Sequence, residues 1–200
     1  MNFLAHLYLS GNDDDIKIGN FIADSVKGKA YQNYSPKIQQ GILLHRKIDE
    51  FTDKHQITKH LSALFKSNYS RHSGIVLDVF YDHFLSMNWE RYSDSPLDTF
   101  IGHCYKILLE NFFILPPQIK KFLPIMIAKN RLSSYSKIEG LESALSIMAK
   151  HTSLPDQSSF AIDVLKKNYQ LINQHFILFF DELIRHAEKE IDLFIKPAFV

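Results

Sequence analysis

Between Ser73 and Glu90 the chain carries no lysine or arginine, yet Asp78 and Asp82 stand four residues apart among Ile75, Val76, Leu77, Val79, Phe80, Tyr81, Phe84 and Leu85. The apolar residues recur at helical spacing and cover too much of such a helix for all of it to face water. At least one carboxylate is therefore expected inside the fold. A buried anion is unfavourable unless its pKa rises, an arginine reaches it, or a bound cation neutralises it. The segment itself offers no cation, so a fold that buries it has to bring donors or a metal from elsewhere. His83 points about 100° away from Asp82 on the helix and is free to serve a neighbouring group or the backbone.

The rest of the sequence supports a helical reading. Glycine and proline number seven each in 200 residues, and apolar positions repeat at three and four rather than at two. No stretch reads as a strand. The expected fold is an all-α helical bundle forming a single domain over residues 1–200. Asp13 to Asp15 predict the start of a helix running to about Val26, with Gly28 helping to stop it. Ser35-Pro36 marks a second start, for a helix to about Lys54. Further helices are predicted over 57–66, 73–88, 96–115, 117–131 and 138–151, and one long helix or two in series over 155–195, ending before Pro197.

Charge and cysteine content narrow the function classes. Twenty-three basic and 22 acidic side chains leave a net charge of +1, which gives no global field to recruit nucleic acid or an anionic membrane. Cys104 stands alone, so an internal disulfide and a multi-cysteine zinc site are both excluded and a cytoplasmic location is expected. Met1 to Ser10 is apolar but short, lacks a basic start and contains His6, unlike a secretory signal. No run reaches the roughly 18 to 20 uncharged apolar residues of a membrane span. A monomer is expected, although the Phe176, Ile177, Leu178, Phe179 and Phe180 cluster suits packing within the chain or against a second copy.

Chemistry-bearing residues recur on separate segments. His45 and Asp49 lie one turn apart on the helix after Pro36, Asp53 continues their line, and Ile38, Gly41, Ile42, Ile48 and Thr52 border it. Taken alone, that stripe reads as an ordinary ion-paired face served by Arg46 and Lys47. His6 sits in an apolar run, where a neutral imidazole is either a satisfied core residue or a ligand. Asp24 ends the run Gly19-Asn20-Phe21-Ile22-Ala23, in which Gly19 admits close approach of another backbone or of a substrate. A bundle can gather such groups around one cavity. Nitrogen and oxygen donors without thiolates suit manganese, magnesium, iron or zinc, and the number of carboxylates favours manganese or magnesium. Such an ion polarises a phosphoryl oxygen and makes hydroxide available near neutral pH. The sequence has no Gly-x-Ser-x-Gly elbow, phosphate-binding glycine loop or His-Glu-x-x-His helix.

Four blocks taken in order, Met1-Asn2-Phe3-Leu4-Ala5-His6-Leu7, Gly19-Asn20-Phe21-Ile22-Ala23-Asp24, His45-Arg46-x-Ile48-Asp49-x-Phe51-Thr52-Asp53-x-His55 and Asp78-x-x-Tyr81-Asp82-His83-Phe84-Leu85, resemble the acyl carrier protein phosphodiesterases. That family looks like a divergent relative of the helical His-Asp metal-dependent phosphohydrolases. The resemblance implies hydrolysis of the phosphodiester joining 4'-phosphopantetheine to a serine of holo acyl carrier protein, with manganese as the activating metal and magnesium or iron as substitutes. It implies a metal-ligand pool of Asp24, His45, Asp49, Asp78 and Asp82. Arg46 is expected to offset phosphoryl charge, and His6 or His83 to protonate the departing serine oxygen. An acidic carrier also calls for a basic rim, for which Lys27, Lys29, Arg46, Lys47, Lys54, Lys59, Lys66 and Arg71 are available. The alternatives are a phosphohydrolase for a nucleotide or another small phosphodiester, a non-catalytic carrier-binding bundle, and a structural bundle in which every aspartate is satisfied by the protein.

Overall fold

A computed structural model describes residues 1–192 and residue 195. Among these the chain forms α1 (Phe3–Tyr8), α2 (Asp14–Ile22), α3 (Pro36–Lys54), α4 (Gln56–Ser62), α5 (Lys66–Tyr69), α6 (Ser73–Met87), α7 (Trp89–Tyr92), α8 (Leu97–Glu110), α9 (Pro117–Ala128), α10 (Arg131–Ser134), α11 (Ile138–His151), α12 (Ser158–Lys167) and α13 (Tyr169–Ile191). No strand occurs among the described residues.

The helix starts follow local chemistry. Asp13 accepts from the Ile16 amide at 3.1 Å and caps α2, while Pro36 opens α3, which runs over the predicted span. The predicted ends shift where the backbone turns. α2 stops at Ile22 and a 3₁₀ turn over Ala23–Ser25 replaces its expected last residues. The helix after Pro117 ends at Ala128, because Asn130 adopts φ +40° and starts the separate α10. The long C-terminal segment is two helices in series, parted at Asn168. The second ends at Ile191, short of the expected stop at Ile195, because Asp192 turns into the left-handed region at φ +51°.

Two features of this bundle set up the site. α6 lies in the middle of the core, with Val76, Leu77, Phe80, Tyr81, Phe84 and Leu85 fully buried. The crossing of α2 and α3 is made at glycines: a Cβ on Gly19 would stand 2.1 Å from the Ile38 carbonyl oxygen, and one on Gly41 would stand 2.2 Å from that of Ile16. Backbone therefore packs on backbone, and only hydrogen fits at both positions. α13 closes the core through Phe176, Phe179 and Phe180, all fully buried, and leaves Leu178 exposed.

Candidate metal centre and active-site cleft

Helix α1 has six residues, too few to persist in isolation. Its position is set from outside: the amides of Leu4 and Ala5 donate to the two oxygens of Asp82 at 2.8 and 3.0 Å. Burial pushes the Asp82 carboxyl up to about 7, against the opposing pull of these two amides. So held, α1 turns His6 toward α3, where its ring stacks on His45 with centroids 3.9 Å apart and planes 14° apart.

His45 is oriented by α2. Its Nδ1 lies 2.9 Å from the carbonyl oxygen of Asn20 and 3.2 Å from Asn20 Oδ1. Two acceptors at Nδ1 require a proton there, so that in the neutral ring the lone pair is on Nε2. Asn20 is itself fixed, donating through Nδ2 to the His6 carbonyl at 2.9 Å and to Ser10 Oγ at 3.0 Å. One buried amide thus ties both histidines to α2.

Asp49 bridges the pair. Its Oδ1 is 3.2 Å from His6 Nε2 and its Oδ2 is 3.2 Å from His45 Nε2, while Asp24 Oδ1 is 3.3 Å from the same His45 nitrogen. Close as they are, Nε2 of both rings completes no hydrogen bond. The atoms converge at ion-pair distance on one point. Two ligands each about 2.1 Å from one ion stand roughly 3.0 to 3.4 Å apart at angles between a right angle and tetrahedral, the spacing seen here. Donor atoms of His6, His45 and Asp49 all lie within 4.8 Å of one another, and the residues present fit a divalent ion.

Electrostatics agree with a cation site. Burial, then the charge on His45, lowers the pKa of His6 to about 4. Burial opposes charge on His45, yet Asp24 and Asp49 outweigh it and raise the group to about 9. Burial would raise Asp49, but His45, His6 and the Met1 ammonium hold it far below the usual carboxylate range. That ammonium, itself buried, stands 3.2 Å from Asp49 Oδ1 and 3.4 Å from Asp78 Oδ1.

The cluster opens into a cleft of about 830 Å³ shared by Asp24, Asp49, Asp53 and Asp78, with Phe3, Val79, Ile119 and Phe122 as an apolar wall and Arg71 and Arg131 among its cations. A family model described as acyl carrier protein phosphodiesterase matches residues 1–183. The chain belongs to the acyl carrier protein phosphodiesterase family. The acyl carrier protein phosphodiesterase of Yersinia enterocolitica serotype O:8 is 31% identical over 189 residues, covering 94% of this chain and 98% of its own length. That of Photorhabdus laumondii subsp. laumondii is 29% identical over 198 residues, covering 98% and 100%, and that of Klebsiella pneumoniae strain 342 is 31% identical over 191 residues, covering 95% and 99%. No solved structure matches the chain.

Of the residues by which the sequence resembles acyl carrier protein phosphodiesterases, His6, Asp24, His45 and Asp49 meet, and Asp78 stands beside them across the Met1 ammonium. Three do not join them. Asp82 is occupied by the α1 amides. His83 is turned the other way, with Nδ1 2.8 Å from the Tyr135 carbonyl and Nε2 2.9 Å from the Tyr169 hydroxyl. Arg46 donates to the Val26 and Gly28 carbonyls at 3.1 and 2.9 Å and lies over the Tyr31 ring, bracing the loop that follows Asp24. The cations named for a basic rim do not all share one depression. Lys47 and Lys54 border a different depression beside His186, and of the eight cations named from the sequence Arg71 is the one that lines the cleft. Asn20 and Asp53 belong to the site without a role assigned to them from the sequence, although Asp53 stands there on the line of His45 and Asp49. A signal for Asn20 exists, since a carboxamide inside the run Gly19-Asn20-Phe21-Ile22-Ala23 needs a polar partner once buried.

Proposed function

We propose that this chain hydrolyses the phosphodiester joining 4'-phosphopantetheine to a serine of holo acyl carrier protein, giving apo protein and 4'-phosphopantetheine. The reading is carried by one coincidence: a family match over almost the whole chain, and a cleft lined by Asp24 and Asp49, the carboxylates that meet His6 and His45. A divalent ion held by His6, His45 and Asp49, with Asp24 beside them, would supply polarisation of the phosphoryl oxygens and a more acidic water; manganese or magnesium suits the carboxylates and iron the imidazoles.

The chain's own groups then have distinct tasks. Asn20 keeps a proton on His45 Nδ1, so that Nε2 faces Asp24 and Asp49, two carboxylates of the cleft, as the metal-binding atom. Burial keeps the His6 imidazole neutral near pH 7 and its lone pair free, which suits a ligand better than an acid. Asp78 lines the cleft, and burial there holds its pKa above the ordinary carboxyl value. We assign to it, in place of His83, delivery of a proton to the departing serine oxygen. Phe3, Val79, Ile119 and Phe122 shield the reacting phosphate from bulk water and offer an apolar wall to the pantetheine arm.

The test is mass spectrometry of holo acyl carrier protein after incubation with the full chain, once with manganese and once with chelator. Loss of the 4'-phosphopantetheine mass in the manganese arm alone is expected. An intact prosthetic group in both arms, alongside turnover of a nitrophenyl phosphodiester, would move the substrate to another small phosphodiester.

A further inference from the structure

The arginines of this bundle are used unequally. Arg91 pairs with Asp181 at 2.7 Å, and Arg46 is taken up by two loop carbonyls. Arg131 is half-buried and lines the cleft, yet no carboxylate or carbonyl among the described residues pairs with its guanidinium. A partly desolvated guanidinium without a partner is unfavourable, and the deficit is removed when an anion arrives. The cleft supplies four carboxylates of its own, and the fold keeps Arg131 out of ion pairs with all of them.

The backbone that carries Arg131 is fixed rather than loose. Asn130 takes φ +40° just before it, and the Leu132 amide donates to the Tyr105 hydroxyl at 3.0 Å. One turn later the Tyr135 carbonyl lies 2.8 Å from His83 Nδ1. On the other side α11 presses close enough that a Cβ on Gly140 would stand 1.9 Å from the Ser134 carbonyl oxygen. His83 therefore has a task away from the metal centre: it clamps the short helix that presents Arg131. A guanidinium carried on this fixed backbone, with its planar fork of donors free, matches the geometry of a phosphate, which takes two parallel N–H bonds.

We infer that Arg131 binds the phosphate of the 4'-phosphopantetheine group in the cleft. The inference rests on the proposed function for the identity of the substrate, and takes over the role that the sequence suggested for Arg46. It follows that the protein distinguishes 4'-phosphopantetheine from unphosphorylated pantetheine through Arg131, and that a lysine, with one point charge, replaces it only in part.

Isothermal titration of the full chain with 4'-phosphopantetheine and with pantetheine, both with manganese present, tests this directly. The wild type is expected to prefer the phosphorylated compound. Arg131→Ala should lose about 10- to 100-fold of that preference, Arg131→Lys should regain part of it, and affinity for pantetheine should stay unchanged in both. Helical circular dichroism of each variant reports folding; should Arg131→Ala not fold, Arg131→Lys decides by the same ratio. An unchanged ratio in the variants, or no preference in the wild type, overturns the inference. A wild type that prefers the phosphorylated compound through Arg131 yet leaves holo carrier protein intact would instead overturn the proposed substrate and leave the phosphate site standing.

Discussion

His45 concentrates the chemistry of the site in one ring. Without an ion, Asp24 and Asp49 stabilise its protonated form and lift its pKa from 6.5 to about 9 despite burial. A group whose folded pKa is raised stabilises the fold fully below its unfolded value, and that contribution disappears as pH rises through the folded one. For His45 the window is pH 6.5 to about 9, and the shift corresponds to roughly 3 kcal/mol at a site that is almost fully buried. In chelator, thermal or urea unfolding of the wild type is expected to show stability falling across that window relative to His45→Gln. Parallel curves for the two proteins would show that the carboxylates do not stabilise a charged ring. Asp82 teaches a complementary lesson. Its burial is readable from its neighbours in sequence, but its partners, the amides of Leu4 and Ala5, are 78 and 77 positions away. Nothing local distinguishes a carboxylate that receives amides from one that receives a metal.

At the scale of elements, the site depends on how closely α2 and α3 approach. Gly41 faces the Ile16 carbonyl, and this crossing brings Asn20 against His45. Gly41→Ala is expected to destabilise the protein by about 1 to 3 kcal/mol through overpacking and to weaken manganese binding by moving Asn20 from His45. Gly102, inside α8, would have nothing within 4 Å of an added methyl group, so Gly102→Ala should instead stabilise by up to about 1 kcal/mol through helix propensity. Thermal melts of the two variants check the contrast, and a Gly41→Ala protein as stable as Gly102→Ala would refute it. Helix spacing makes α3, α6 and α11 legible almost to the residue: apolar residues recur at three and four through each of them, and Ser35-Pro36 also marks the start of α3. α1 and α10 are not legible. Both are short and exist because distant groups hold them: Asp82 for α1, and Tyr105 and His83 for α10.

Across the whole molecule, the fold sorts similar residues into different duties. The sequence already indicates that imidazoles and carboxylates from several segments gather at one cavity, and His6, Asp24, His45 and Asp49 do so from α1, the turn after α2, and α3. Which members of that pool belong to the centre depends on tertiary placement. The same holds for the cations, where Arg46 braces a loop and Arg131, far along the chain, enters the cleft. The central claim is that His6, His45 and Asp49 form the seat of a divalent ion, while Asp82 and His83 serve the scaffold. Manganese titration followed by electron paramagnetic resonance tests it most directly, on the wild type and on Asp49→Asn, His45→Gln, Asp82→Asn and His83→Gln. The account predicts stoichiometric binding in the wild type, its loss in the first two variants, and its retention in the last two with lowered melting temperatures. Retained binding in Asp49→Asn and His45→Gln, or loss confined to folded Asp82→Asn and His83→Gln, would contradict it.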